Sequence, residues 1–369
     1  MQENFGIREL AEWARREGAI DLAQGVIEAT PPPALLAALR DIDVAACSTY
    51  TNKRGVPVYR EAIREHLAAR TWPVGLEHIA GTAGVMGATV AALLSELQPG
   101  DTVLLPEPFF IGHKLMLEAL GFTIDYVPVP LSSQPNWEEL EAKMAGASAL
   151  LLTTPANPTG QVAPAAVRQK LSEAAAQHGC LLLLDEVYRE FDWSEAAPDD
   201  RAYGELNLQQ TVVMRSFSKT WAIPGWRAGF AVSSPERVEK LAARHDALYL
   251  GGSTLAQHAL ALALQKNDAA LRQYATTLRQ TLSANEQMLR EAFALIGMEP
   301  LPVPGAYYML IKHNRGSDEA AMIELQEKKI ATVPVNMLRA DRRSNTGHIR
   351  IHFGVRPETA EKVRQLLAN

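Results

Sequence analysis

Cysteine is almost missing from this chain. Its 369 residues include only Cys47 and Cys180, too few for a disulfide framework, and Cys180 opens an apolar run that reads as a buried strand. That scarcity fits a reducing compartment. Basic excess is missing too: 36 Lys and Arg stand against 42 Asp and Glu, for a net charge of −6 and a pI near 5.9. Such a balance argues against nucleic acid or an anionic membrane surface as the main partner. No stretch approaches the ~20 apolar residues of a membrane span, and the amino terminus, MQENFGIREL, has no apolar core of signal-peptide length. A cytoplasmic protein is expected. The nine histidines are scattered without an HExxH or a CxxC, so no metal site is expected. With 47% hydrophobic content, the chain can bury the core of one large domain plus a smaller one, and its partner is expected to be a small molecule.

The most informative stretch is Ser216 to Phe230, SFSKTWAIPGWRAGF. Thr211 to Arg215 before it reads as a short buried strand, so Lys219 sits just past a strand's carboxyl end, where α/β sheets bind ligands. Ser216, Ser218 and Thr220 offer hydroxyls, and Arg227 offers a planar fork suited to a phosphate dianion. The Lys219 amine can form a Schiff base with a carbonyl. Phosphate plus Schiff base suggests pyridoxal phosphate, although a lone S-x-S-K is equally a solvated lysine in a Ser/Gly loop.

Other strand ends converge on the same chemistry. Ala149 to Thr153 is a buried strand followed by Asn157 in an Asn-Pro-x-Gly turn, and Cys180 to Leu184 is a strand that delivers Asp185, with Tyr188 three residues on. A carboxylate such as Asp185 beside a pyridine nitrogen keeps it protonated, so the ring accepts electrons from Cα. Asn157 and Tyr188 can hydrogen-bond the ring hydroxyl. Ile79 to Leu97 reads as a small-residue loop running into an apolar helix, a ready anion site at the helix start, though its glycines also suit close helix packing. Thr102 to Pro106 is a strand followed by Phe109 and Phe110, of which Phe109 reads as core. Helices are expected over Gly6 to Gly18, Val58 to Ala69, Pro164 to His178, Pro235 to Leu250, Thr254 to Gln265, Leu271 to Leu295 and Ser317 to Lys329. In His348 to Phe353, residues His348, Arg350 and His352 share one face of an alternating strand.

These motifs resemble the class I/II aminotransferases, fold type I pyridoxal-phosphate enzymes, and the resemblance runs over nearly the whole chain. It implies Lys219 as the Schiff-base lysine, and Ser216, Arg227, Val85 and Met86 at the phosphate of pyridoxal 5'-phosphate. Phe110 would stack on the ring, with Asn157, Asp185 and Tyr188 as its polar partners. Tyr50, five residues before Gly55, would reach the phosphate bound in a neighbouring subunit of a homodimer. Gly25, closing an IxLxxG, would lie beside the substrate carboxylate, and Arg350 with Asn157 would hold that carboxylate.

The resemblance implies an α/β fold of two domains. Residues 46–275 would form a large cofactor domain with a mostly parallel sheet, and 1–45 with 276–369 a small α/β domain. The implied reaction is transfer of the amino group of an L-amino acid to a 2-oxo acid. A lyase, cyclase or amino-acid oxidase on the same scaffold is the alternative, since pocket groups decide the outcome after Cα deprotonation. A ligand-sensing regulator would need an attached DNA-binding module, and the residues before Gly6 are too few to encode one. Two segments depart from the family pattern where substrate specificity is expected: Val26 to Glu28, and Pro334 to Met337. No arginine can be placed in the distal pocket from motifs, so a neutral or basic substrate side chain is expected over a dicarboxylate.

Overall fold

The computed structural model describes residues 6–194 and 199–368. The first helix, Ile7–Glu17, is bounded by Gly6 and by Gly18, whose φ of 61° ends it in the left-handed region. Strand β1 (Ile20–Asp21) follows. Seven strands then build the central sheet: β2 (Ile79–Thr82), β3 (Thr102–Glu107), β4 (Thr123–Pro128), β5 (Ala149–Thr153), β6 (Leu181–Asp185), β7 (Thr211–Ser216) and β8 (Gly229–Val232). Their order is β2-β8-β7-β6-β5-β3-β4, parallel except where β8 pairs with β7 and β2.

The sheet is covered on both faces, which is why its central strands read as unbroken apolar runs. In β6, Leu182 and Leu184 enter one core with Leu171 and Leu260, while Leu181 and Leu183 enter the other with Leu93 and Leu241. At roughly 1.5–3 kcal/mol for each fully buried leucine, this strand is held firmly, and its last residue, Asp185, is placed with it. Thr153 and Asp185 are register partners, as are Asp185 and Met214, so the carboxyl ends of β5, β6 and β7 lie side by side. The strand order reverses between β3 and β5, the position at which open sheets of this kind leave a crevice.

A second sheet follows the long helix Thr254–Leu295. Strands β9 (Glu299–Pro300), β10 (Tyr308–Lys312), β12 (Val333–Pro334) and β13 (His348–His352) run antiparallel in the order β12-β13-β10-β9, and β11 (Ile330–Ala331) pairs with β1. Ile349, Ile351 and Phe353 pack together with Leu22, Ile27, Leu282 and Leu289, so both ends of the chain share this core. The helix Pro33–Asp41, by contrast, packs Leu35 and Ala38 into a core of the central sheet.

Two expectations change. Ile79 to Thr82 is an edge strand rather than part of a loop; its Gly81 lets the Gly55 turn approach, since a Cβ on Gly81 would lie 3.3 Å from Gly55 Cα and 3.2 Å from the Tyr59 ring. The helices expected at 254–265 and 271–295 form one run interrupted at Asn267, where φ is −135° and ψ 22°. This run links the central core to that of the second sheet.

Candidate active site

One cavity of about 790 Å³ opens at the carboxyl ends of β5, β6 and β7. Lys219, Asp185, Asn157, Tyr188, Ser216, Arg227, Val85, Met86, Phe110, Gly25 and Arg350 all line it. Tyr50 does not; it is 84% exposed on the surface of the single chain.

Lys219 reaches the cavity from the turn after β7, and its Nζ donates to the Gly25 carbonyl at 3.3 Å. The same carbonyl accepts from the Tyr307 hydroxyl at 2.9 Å. Asp185 is buried; its Oδ1 accepts from the Val187 amide at 3.1 Å, and its Oδ2 lies 3.1 Å from Nε2 of the buried His113. Tyr188 and Tyr308 place their hydroxyls 2.9 Å apart. Burial, with Tyr308 as the next cause, pushes the Tyr188 phenol well above its usual value, so it is protonated at neutral pH.

An anion cradle lies at one end. The helix Gly84–Glu96 has no side-chain cap, so its first N–H groups lack an intrahelical acceptor. Arg227 crosses this helix start, donating to the Ala83 carbonyl at 3.3 Å and the Pro224 carbonyl at 2.9 Å. Gly84 sits at φ 73°, a left-handed conformation that favours glycine, with the Arg227 guanidinium packed over it. Arg227 itself sits at φ 52°, a conformation a non-glycine residue adopts at some cost and one that often marks a site. His245 braces the cradle from behind: its Nε2 accepts the Ala83 N–H at 2.9 Å.

Arg350 stands at the other end, on β13. It is 1% exposed, so it is not a surface arginine. Its guanidinium donates to Asn157 Oδ1 at 3.2 Å and to the Ala23 carbonyl, and lies 4.7 Å from the centre of the Tyr308 ring. Among the described residues no carboxylate pairs with it, and its Nε has no acceptor. A buried cation in that condition is costly unless a ligand supplies the anion.

The lining carries Arg8, Lys219, Arg227, Arg342 and Arg350 against Glu9 and Asp185. That positive excess matches a phosphate, at ≈ −1.5 to −2, together with one carboxylate. The cradle, the buried acid and the charge balance thus fit pyridoxal 5'-phosphate with an amino acid beside it.

Sequence reasoning missed His113, Tyr307 and Tyr308. His113 stands three residues after Phe110, close to one helical turn, which was a usable signal. Gly25 has a reason beyond the substrate: a Cβ there would lie 2.1 Å from the Tyr308 hydroxyl. Of the two departures, Val26 lines the cavity, but Val335 and Asn336 are buried away from it, with the Asn336 amide donating to Asp318 Oδ2 at 3.1 Å. The later loop residue Arg342 reaches the cavity instead, as does Arg8. The ground for expecting a neutral or basic substrate is therefore removed. Among the described residues no group of His, Cys, Asp and Glu could hold a metal, and no helix is long and apolar enough to cross a membrane.

The chain matches the family model described as aminotransferase class I and II over residues 17–367. It is 26% identical to a methionine aminotransferase of Escherichia coli over 97% of this chain and 95% of that protein. It is 28% identical to a probable N-succinyldiaminopimelate aminotransferase of Mycobacterium tuberculosis, over 82% of this chain and 76% of that one. A solved Escherichia coli structure described as having a methionine aminotransferase function superimposes with a TM-score of 0.89 at 24% identity, covering 99% and 97% of the two chains.

Proposed function

This chain belongs to the class I and II aminotransferases, and from that premise we propose that it binds pyridoxal 5'-phosphate at Lys219 and moves the amino group of an L-amino acid to a 2-oxo acid. The observation that carries this reading is the meeting of Lys219, Asp185 and Arg227 with the carboxylate-free Arg350 on one cavity.

Arg227, Ser216 and the N–H groups of Val85 and Met86 would hold the phosphate, with charge and helix dipole acting together. Asp185, kept in place by His113 and the Val187 amide, would hold a proton on the ring nitrogen. Asn157 and Tyr188 would donate to the ring oxygen, and Phe110 would offer an aromatic face. When bound, the cofactor supplies an electron sink for the charge left at Cα. Arg350 and Asn157 orient the substrate by its α-carboxylate. Lys219, whose amine reaches the cavity from the turn after β7, would be the base that takes up and gives back the Cα proton.

The proposed division of the chain is 46–275 for the cofactor unit and 1–45 with 276–369 for the smaller one, with the helix Pro33–Asp41 packing across the boundary. Met1 to Phe5, Glu195 to Pro198 and Asn369 lie outside the described residues. The active unit is proposed to be a homodimer in which Tyr50 serves the neighbour's site. A cytoplasmic setting is supported by two free, buried cysteines, with burial pushing the Cys180 thiol up to about 12.

The test is to mix reconstituted protein with an amino-acid panel and record conversion of the cofactor from its aldehyde to its amine form, then its return on adding a 2-oxo acid. Ammonia release with no requirement for a 2-oxo acid would instead support a lyase or oxidase.

A further inference from the structure

Tyr308 is a buried polar residue of the cavity with no part in the proposed function. It opens β10, is 3% exposed, and its hydroxyl hydrogen-bonds the Tyr188 hydroxyl at 2.9 Å, with the Tyr307 side chain as a further neighbour. The Gly25 Cα closes the space on its other side, where even a methyl carbon would come to 2.1 Å. The Arg350 guanidinium lies over its ring, 4.7 Å from the centre.

Two phenols at this distance share one proton between their oxygens, and the direction decides what remains for a ligand. If Tyr308 donates, the Tyr188 proton is left to point elsewhere. The cation over the Tyr308 ring draws charge from it and makes its O–H the better donor, and the neighbouring Tyr307 hydroxyl is already engaged with the Gly25 carbonyl. Tyr188 lines the cavity and keeps its proton at neutral pH for the reason given above.

Resting on the proposed cofactor site, we infer that Tyr308 is a positioning residue that donates its proton to Tyr188 and so fixes Tyr188 as a donor to the cofactor's ring oxygen. Hydrogen bonds in series polarise one another, so the second bond is stronger for the first. Because the Arg350 guanidinium sits on the Tyr308 ring, this chain of contacts also joins the carboxylate end of the cavity to the cofactor end.

The experiment is a pH titration of the visible absorbance of the reconstituted protein, whose midpoint reports how tightly the lysine–cofactor linkage holds its proton. Donation into the ring oxygen withdraws charge and loosens that proton. Tyr308→Phe keeps the ring under Arg350 and removes only the hydroxyl. Its midpoint should rise by about 0.1–0.3 pH unit, the tenth to third of one ordinary hydrogen bond that bonding in series adds. Tyr188→Phe should raise it further, and Tyr188→Phe with Tyr308→Phe should match Tyr188→Phe alone, because Tyr308 acts through it. An unchanged or lowered midpoint in Tyr308→Phe overturns the inference, as does an equal rise in both backgrounds. A wild type with no visible band overturns the cofactor reading itself, and this inference with it.

Discussion

Arg350 on β13 donates to Oδ1 of Asn157, at the end of the Asn-Pro turn after β5, across 3.2 Å and 193 positions of sequence. The contact joins the two sheets at the point where a substrate carboxylate would lie. Arg350→Ala should therefore lower kcat/KM for every amino acid the enzyme accepts. Loss of one partner from a buried charged pair costs about 2–5 kcal/mol, or about 30- to 5,000-fold at one decade per 1.36 kcal/mol. Arg350→Lys should recover little, because a point charge cannot replace the fork. Steady-state assays with several substrates check this, and a loss confined to one substrate would contradict the carboxylate role.

Asp200 is the hub of a buried charge network behind the site. It accepts from Arg70 Nε at 2.9 Å, Arg189 Nε at 3.1 Å and Arg215 Nη1 at 2.6 Å, while Arg215 Nε also meets Glu186 Oε2 at 2.8 Å. The network ties together the residues after Asp185 and before Ser216. Burial opposes ionisation of Asp200, but Arg215, Arg70 and Arg189 together outweigh it and hold its carboxyl well below the usual range. Its contribution is thus present above about pH 3.9 and lost as the pH falls towards the folded value. Asp200→Asn should cost about 3–5 kcal/mol, the effect of removing one charged partner from a buried network. Urea denaturation at pH 7 measures it, and a change under about 1 kcal/mol would show the network to be dispensable.

Two buried histidines should make the fold sensitive to mild acid. Burial lowers His245 to about 4, and burial with Arg350 as the next cause lowers His352 to about 3. Below about 6.5 the unfolded chain takes up protons that the folded chain refuses, so stability falls with pH through this window. Each histidine contributes a slope of up to about 1.4 kcal/mol per pH unit there. Denaturation midpoints between pH 7 and 5 should drop, and His245→Gln or His352→Gln should flatten the curve. An unaltered slope in both variants would show that these rings are not the titrating groups.

Tyr50 does not line its own cavity and is 84% exposed. As a residue serving a neighbour, it predicts a dimer with C₂ symmetry at assay concentrations, and Tyr50→Phe should weaken cofactor binding without altering the fold. Sedimentation velocity alongside activity gives the answer; a fully active monomer rules the dimer out.

What could be seen in the sequence was whatever follows a buried strand directly. Asn157, Asp185 and Lys219 each come within a few residues of an apolar run, so local pattern sufficed. Arg350 was legible because Ile349, Ile351 and Phe353 alternate with it into one core. His113 and Tyr308 were not, since each meets its partner only through packing of separate elements. The Asp200 network was hidden for a related reason: Arg70 and Arg189 look like surface residues until the fold gathers them beside Arg215. At the edge of the sheet, Gly81 disguised β2 as a loop, because the close approach of Gly55 that requires glycine is a tertiary fact.

The central claim is that Lys219 carries the cofactor. Borohydride reduction of the reconstituted protein, followed by peptide mass mapping, tests it directly. The account predicts one pyridoxyl phosphate adduct per chain, on Lys219, absent from Lys219→Ala together with all turnover. An adduct on another lysine, or turnover retained by Lys219→Ala, would contradict it.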